Sequence, residues 1–153
     1  MGRLGTGEAM NDETDADGVK KFVEKCQVYF DDLDAFGMFY HGRYLALIDR
    51  AFFACVWRLG FTPGHEDLHQ VVRETNLVFI EPIRQIGDVD VIFWASRVGR
   101  SSALFDFVVK SAAGEHVRGS RSVIKFDPAT GRSKPWGEKI RAVFDPGSDD
   151  PKQ

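Results

Sequence analysis

Residues 41–59 read His41-Gly42-Arg43-Tyr44-Leu45-Ala46-Leu47-Ile48-Asp49-Arg50-Ala51-Phe52-Phe53-Ala54-Cys55-Val56-Trp57-Arg58-Leu59. Leu45, Ile48, Phe52, Cys55, Val56 and Leu59 recur at helical spacing, so the run predicts a helix. Leu47, Ala51, Phe53, Ala54 and Trp57 fill much of the opposite side, and charge is confined to Arg43, Asp49, Arg50 and Arg58. A helix that is apolar on most sides belongs in an interior rather than on a surface. Gly60, followed by Pro63-Gly64, stops it.

The sequence on either side has the other period. From Lys20 to Phe30, Phe22, Cys26, Val28 and Phe30 share one face and Lys21, Lys25 and Gln27 the other, with Glu24 the exception, which predicts a half-buried strand. Four further strands are expected at about 71–83, 88–98, 101–111 and 116–126. Gly87-Asp88, Gly99-Arg100 and Ala113-Gly114 separate them. Such short turns predict an antiparallel meander, because parallel neighbours need crossovers of a dozen residues or more. Asp127-Pro128 ends the last long strand, and residues 138–144 are expected to add a short final one. One strand, one long buried helix and then four or five antiparallel strands make an α+β domain in which a curved sheet wraps the helix. Such a sheet leaves an edge and an outer face to be covered, which favours an oligomer.

A chain of 153 residues has room for one such domain, placed here at residues 19–144. No run of 18 apolar residues occurs, so no membrane-spanning helix and no membrane partner are expected. The first residues contain no apolar core of the signal-peptide kind. Cys26 and Cys55 are too few and too far apart for a disulfide framework or a Cys-x-x-Cys site, and a reducing cytoplasm is the expected location. Residues 1–18 set Arg3 against five carboxylates, and residues 145–153 set Lys152 against three. Both ends are expected to be flexible tails, the first because it holds almost no large apolar residue to bury. The body between them is mildly basic. It lacks the strong basic patch of a nucleic-acid-binding domain but suits a small anionic ligand.

Two constellations could carry chemistry. His65-Glu66-Asp67-Leu68-His69 is a literal H-E-x-x-H, which binds zinc when both His share one helical face. Here it follows Pro63-Gly64 in a short polar link with no third ligand nearby, so a solvated loop is expected and no metal. The acidic loop Asp31-Asp32-Leu33-Asp34-Ala35-Phe36-Gly37 lies just before the helix. Loop carboxylates are usually solvated. A carboxylate beside the free N–H groups of a helix start, however, could attack a carbonyl or activate water while those N–H groups hold the oxyanion. That pairing suits acyl transfer to water. No dinucleotide fingerprint or P-loop is present.

The run Tyr29-Phe30-Asp31-Asp32-Leu33-Asp34-Ala35-Phe36-Gly37-Met38-Phe39-Tyr40-His41-Gly42-Arg43-Tyr44 resembles the signature of the 4-hydroxybenzoyl-CoA thioesterase family, the hotdog-fold acyl-CoA thioesterases. Thr75-Asn76-Leu77-Val78-Phe79-Ile80-Glu81-Pro82-Ile83, Gly87-Asp88 and Arg97-Val98-Gly99-Arg100-Ser101-Ser102 are similar to later stretches of that family. The resemblance implies a hotdog fold, a dimer or tetramer, no cofactor, and hydrolysis of an acyl-CoA or acyl-carrier-protein thioester. It implies that Asp34 is the catalytic carboxylate, nucleophile or general base, and that the His41 N–H polarises the thioester carbonyl. Gly37, Tyr44 and Asn76 are expected to bind the substrate, the last two near the acyl pocket. Arg97, Arg100, Ser101 and Ser102 fall in a turn that meets coenzyme A. Phe36 and Arg43 depart from the family pattern. Phe36 is expected to reshape the acyl site, and Arg43 to meet a polar or acidic acyl group or a carrier protein. The rival expectations are a hotdog dehydratase or hydratase, and a module that binds acyl-CoA without turning it over.

Overall fold

A computed structural model describes residues 12–145. Its strands are β1 (Glu13–Thr14), β2 (Lys20–Val28), β3 (Gln70–Phe79), β4 (Gly87–Val98), β5 (Ser102–Ser111) and β6 (Gly114–Lys125). They form one antiparallel sheet in the order β1-β2-β4-β5-β6-β3. The long helix α1 (Tyr44–Arg58) lies against it, and a short helix α2 (Glu138–Phe144) follows β6. The α+β class and the helix-on-sheet arrangement are as the sequence indicated.

The helix ends where Gly60 adopts φ +86°, a conformation that costs glycine little. Tyr44, Leu47, Ile48, Ala51, Cys55 and Val56 make its buried face. Each large apolar side chain so buried stabilises the fold by about 1.5–3 kcal/mol. Leu45, Phe53 and Trp57 stay more than 40 % exposed. The expectation of a helix enclosed on most sides is therefore corrected: the sheet covers one side of α1, and among the described residues Leu45, Phe53 and Trp57 stay exposed on the other.

Strand order brings a second correction. β3 does not pair with β4 as a simple meander requires; it pairs with β6, and residues 80–86 carry the chain across to β4. That leaves β3 at the edge of the sheet, unpaired on its outer side among the described residues, with Val71, Val72, Val78 and Phe79 about half exposed. β2 stops at Val28, and Phe30 opens a 3-10 turn and faces solvent.

Residues 138–144 form a helix, not a strand. Ile140 and Phe144 are its buried positions, with Val143 packed beside them at helical spacing. Phe144 closes an aromatic cluster, with ring centroids 5.0 Å from Phe22 and 5.4 Å from Phe105. The expected N-terminal tail also proves ordered from residue 12 onward. Glu13 and Thr14 pair with Lys21 and Lys20, Asp15 Oδ1 accepts the N–H groups of Asp17 and Val19, and Asp12 holds Arg58 at 2.8 Å. Polar hydrogen bonds and charge order this piece, and apolar composition does not register them. Residues 1–11 and 146–153 lie outside the described residues.

Candidate active site

Leu33 and Phe39 bridge across the base of a five-residue loop. Inside it the Asp34 N–H donates to Met38 O at 2.7 Å and the Gly37 N–H to Asp34 O at 3.0 Å. Gly37 sits at φ +72°, which a side chain would oppose. Asp34 Oδ1 accepts the N–H groups of Phe36 (2.8 Å) and Met38 (3.2 Å), the local bonding that makes aspartate a turn residue. The carboxylate is thus fixed in orientation by its own loop. The loop is fastened in turn: the Phe39 N–H donates to Ile83 O at 2.8 Å and the Tyr40 N–H to Asp32 O at 3.0 Å.

The chain then enters a 3-10 turn, His41–Arg43, that runs straight into α1. Its opening N–H groups, those of His41 and Gly42, have no carbonyl within the turn to receive them, as at any helix start. Such groups carry the positive end of the helix dipole and favour an anion or oxyanion. Asp34, His41 and Tyr44 come together in a cleft of about 310 Å³, with Met38 and Phe39 beside them and residues 79–82 forming the far wall. Tyr44 is buried and packs on Phe39 and Phe79, with centroids 4.7 and 5.6 Å away. Burial pushes its phenol above the ordinary value, against the opposing effect of a backbone hydrogen bond with Ile83.

The other candidate residues fall elsewhere. Phe36 is at the loop tip, 80 % exposed and outside the cleft lining. Arg43 lies outside the cleft lining, and its Nη1 donates to Asp32 Oδ1 at 2.9 Å. Asp32 is buried, and its Oδ2 accepts the Tyr29 N–H at 2.8 Å, so the pair anchors the acidic loop to the helix start. Asn76 lies exposed on β3, away from the cleft lining. Arg97 near the end of β4, Arg100 and Ser101 in the β4–β5 turn and Ser102 at the start of β5 lie toward Lys125 and Trp136, at the end of the sheet opposite Asp34. Along β3 the two ends are separated by about 26 Å at 3.3 Å per residue from Val71 to Phe79.

The H-E-x-x-H stretch forms one 3-10 turn, Glu66–Leu68, in which His65 Nδ1 accepts the Asp67 N–H at 3.1 Å. Asp67 is buried against Lys125 and accepts the Gly137 N–H at 2.8 Å. The stretch ties the chain after α1 to the end of β6. Among the described residues no three His, Cys, Asp or Glu side chains converge on one point. The cleft residues that spacing alone did not single out are Met38, Phe39 and the 79–82 wall. The Glu81-Pro82 step just after β3 was the available signal for that wall.

No curated protein matches the chain. Solved structures do. A putative thioesterase from Pseudomonas aeruginosa shares 22 % identity over 79 % of this chain and 95 % of its own, with a TM-score of 0.73. A 1,4-dihydroxy-2-naphthoyl-CoA thioesterase from Synechocystis shares 15 %, over 86 % and 99 %, with a TM-score of 0.74. A thioesterase from Thermus thermophilus, solved with coenzyme A and zinc, shares 25 %, over 78 % and 94 %, with a TM-score of 0.67. Residues 36–117, which begin two positions after Asp34, take in the helix start, α1 and the sheet from β3 to β5. They match one family throughout, and the chain belongs to the Thioesterase superfamily.

Proposed function

We propose that this chain hydrolyses an acyl-CoA thioester to a free acid and coenzyme A, with Asp34 as the catalytic carboxylate. The single observation that carries the reading is Asp34, fixed by two backbone N–H groups, sharing one cleft with His41, the first residue of the helix start. The thioester carbonyl oxygen sits at the N–H groups of His41 and Gly42, and removing one such donor typically costs about 10²–10³ in rate. Two steps fit this geometry. The Asp34 carboxylate attacks the carbonyl carbon and expels the thiolate, giving a mixed anhydride that water then cleaves. Alternatively Asp34 takes a proton from a water molecule whose oxygen attacks the carbonyl, and the departing thiolate receives a proton. A single turnover in ¹⁸O-water separates them: only the anhydride route returns label to Asp34 and an unlabelled first product.

The resemblance of the Asp34 loop to 4-hydroxybenzoyl-CoA thioesterases supports this reading, as does the family. Coenzyme A, rather than a carrier protein, is favoured by the Thermus thermophilus relative, solved with coenzyme A. A second copy completes the site in this proposal. Val71 and Val72 stand four and three residues before Thr75, and Phe79 and Val78 stand four and three after it. An antiparallel copy of β3 centred on Thr75 therefore sets half-exposed apolar residues against one another and pairs an otherwise free edge. The same two-fold brings the Arg97–Ser102 turn of one copy to the end of the sheet that holds the other copy's Asp34. Light scattering tests the pairing: the account expects a dimer or a multiple of it, dissociated by Val78→Lys, and a monomeric wild-type chain refutes it. Thiol release from matched acyl-CoA and acyl-carrier-protein thioesters tests the activity. Turnover of the CoA series supports the proposal, turnover of the carrier-bound series alone moves the substrate, and no turnover of either favours a binding module.

A further inference from the structure

Glu81 and Pro82 belong to the far wall of the Asp34 cleft, and the same two residues line a second cavity, of about 530 Å³, together with Ser111 and His116. Both are exposed. A strip of backbone that stands between two open spaces is fixed less by side-chain packing than by its hydrogen bonds. Upstream of Pro82 those bonds go to one residue of β6. The N–H groups of Ile80 and Glu81 donate to His116 O at 2.9 and 3.4 Å, and His116 Nδ1 lies 2.9 Å from Glu81 O. A carbonyl only accepts, so Nδ1 carries a proton, and in the neutral ring Nε2 accepts from Ser111 Oγ at 2.7 Å. Ser111 Oγ accepts the Ala113 N–H at 3.2 Å in its turn. The ring is 3 % exposed, with both nitrogens paired.

The register of β6 makes His116 available for this. Val109 pairs with Val117 but Lys110 with Glu115, which leaves His116 as the extra residue of a bulge. A bulge takes a residue out of the ladder and re-aims its side chain, here toward Glu81. Downstream of Pro82 the segment meets the Asp34 loop: the Phe39 N–H donates to Ile83 O at 2.8 Å, and Tyr44 hydrogen-bonds the Ile83 backbone. Residues 80–83 therefore tie His116 at one end to the base of the catalytic loop at the other. Without the ring, Glu81 O loses its partner and the wall is free to move relative to Asp34. A misplacement of about 1 Å at a reacting centre can cost about 10²-fold in rate.

We propose that His116 is a positioning residue: its Nδ1–H, bonded to Glu81 O, sets the 80–83 wall against Asp34 and so aligns the thioester in the cleft. The proposal rests on the thioesterase reading and extends it to a residue outside the cleft lining. The test compares wild type with His116→Phe, which keeps a ring and loses both nitrogens, and with His116→Asn, whose side-chain amide supplies an N–H in place of Nδ1–H. Acyl-CoA hydrolysis is measured per folded molecule, and amide hydrogen exchange is read at Phe39 and Ile80. His116→Phe is expected to lower kcat/KM by about tenfold to a hundredfold and to speed exchange at both amides. His116→Asn is expected to recover most of both. A histidine that merely fills space gives the reverse order, because Asn leaves a void and Phe does not. Ser111→Ala, which frees the ring to turn from Glu81, is expected to show a smaller loss of the same kind, and it decides the matter if His116→Phe does not fold. Wild-type kcat/KM in the folded variant that decides, a loss that His116→Asn fails to recover, or unchanged exchange overturns the proposal. If wild type turns over no thioester, the hydrolase reading has failed and exchange alone decides. Faster exchange in His116→Phe, restored in His116→Asn, then sustains His116 as the residue that holds this wall, and unchanged exchange ends the assignment.

Discussion

Replacing Lys125 by Met removes one half of a buried ion pair whose two side chains are each 1 % exposed. In the variant Asp67 keeps only the Gly137 N–H, at 2.8 Å, and the backbone contact with His65, while its Oδ2, already without a partner, stays buried. Leaving a buried charge uncompensated in this way costs about 3–5 kcal/mol. Glu66, 53 % exposed and 3.7 Å from Lys125, adds little to that figure. For a domain of this size the loss corresponds to a fall in Tm of about 6–20 °C. The pH dependence follows from the Asp67 carboxyl. Burial raises its pKa, but the hydrogen bonds from Lys125 and the Gly137 N–H, with the charges of Lys125 and His65, outweigh burial and hold it below the ordinary 3.8. Folded below its unfolded value, it adds stability above pH 3.8 and loses that contribution as pH falls through the folded value. Without Lys125 burial dominates, the carboxyl titrates higher, and a proton relieves the stranded charge. Urea unfolding of wild type and Lys125→Met at pH 7 and at about pH 4 is the assay. The gap is expected to be widest at pH 7 and to narrow on acidification, and Asp67→Asn with Lys125→Met is expected to recover most of the loss. A gap below about 1 kcal/mol at pH 7, or one that acid does not narrow, refutes the reasoning.

Three further outcomes are expected. A Cβ at Gly119 would lie 2.1 Å from Asn76 O and 2.7 Å from Phe107 Cζ, so Gly119→Ala should destabilise by about 1–3 kcal/mol or more in chemical unfolding, against no change if β6 can shift. Phe144→Ala opens the cluster of Phe22, Phe52 and Phe105 and should cost about 3–5 kcal/mol by the same measurement, showing that α2 belongs to the core. Burial pushes the Cys26 thiol up to about 11 and that of Cys55 up to about 12. Neither should react with a disulfide reagent at pH 8 while the chain is folded, and both should react in denaturant; fast native labelling would contradict the burial.

The hydrophobic period made α1 legible because its spacing depends only on local geometry. The five long strands were legible for the same reason, to within a few residues at each end. What escaped was set by partners distant in sequence. β3 reads like a meander strand, but its pairing with β6 depends on where residues 80–86 carry the chain. The segment 138–144 is short enough to suit either period, and packing of Ile140 and Phe144 decides it as a helix. Asp34, His41 and Tyr44 could be grouped from sequence because they lie within eleven residues of one another. Arg43 could not be placed, since nothing local shows that Asp32 holds it. The H-E-x-x-H stretch misleads for a related reason: the identity of the residues says nothing of the buried Lys125 that organises them.

The measurement closest to the central claim is kcat/KM for acyl-CoA hydrolysis by wild type and Asp34→Asn, with melting curves to show that both are folded. Asparagine keeps the oxygen that accepts from Phe36 and Met38 and removes only the charge. The account expects a loss of about 10²–10⁴-fold with little change in Tm, the range for a positioned acid–base group. Hydrolysis within about tenfold of wild type would contradict the assignment of Asp34 as the catalytic carboxylate.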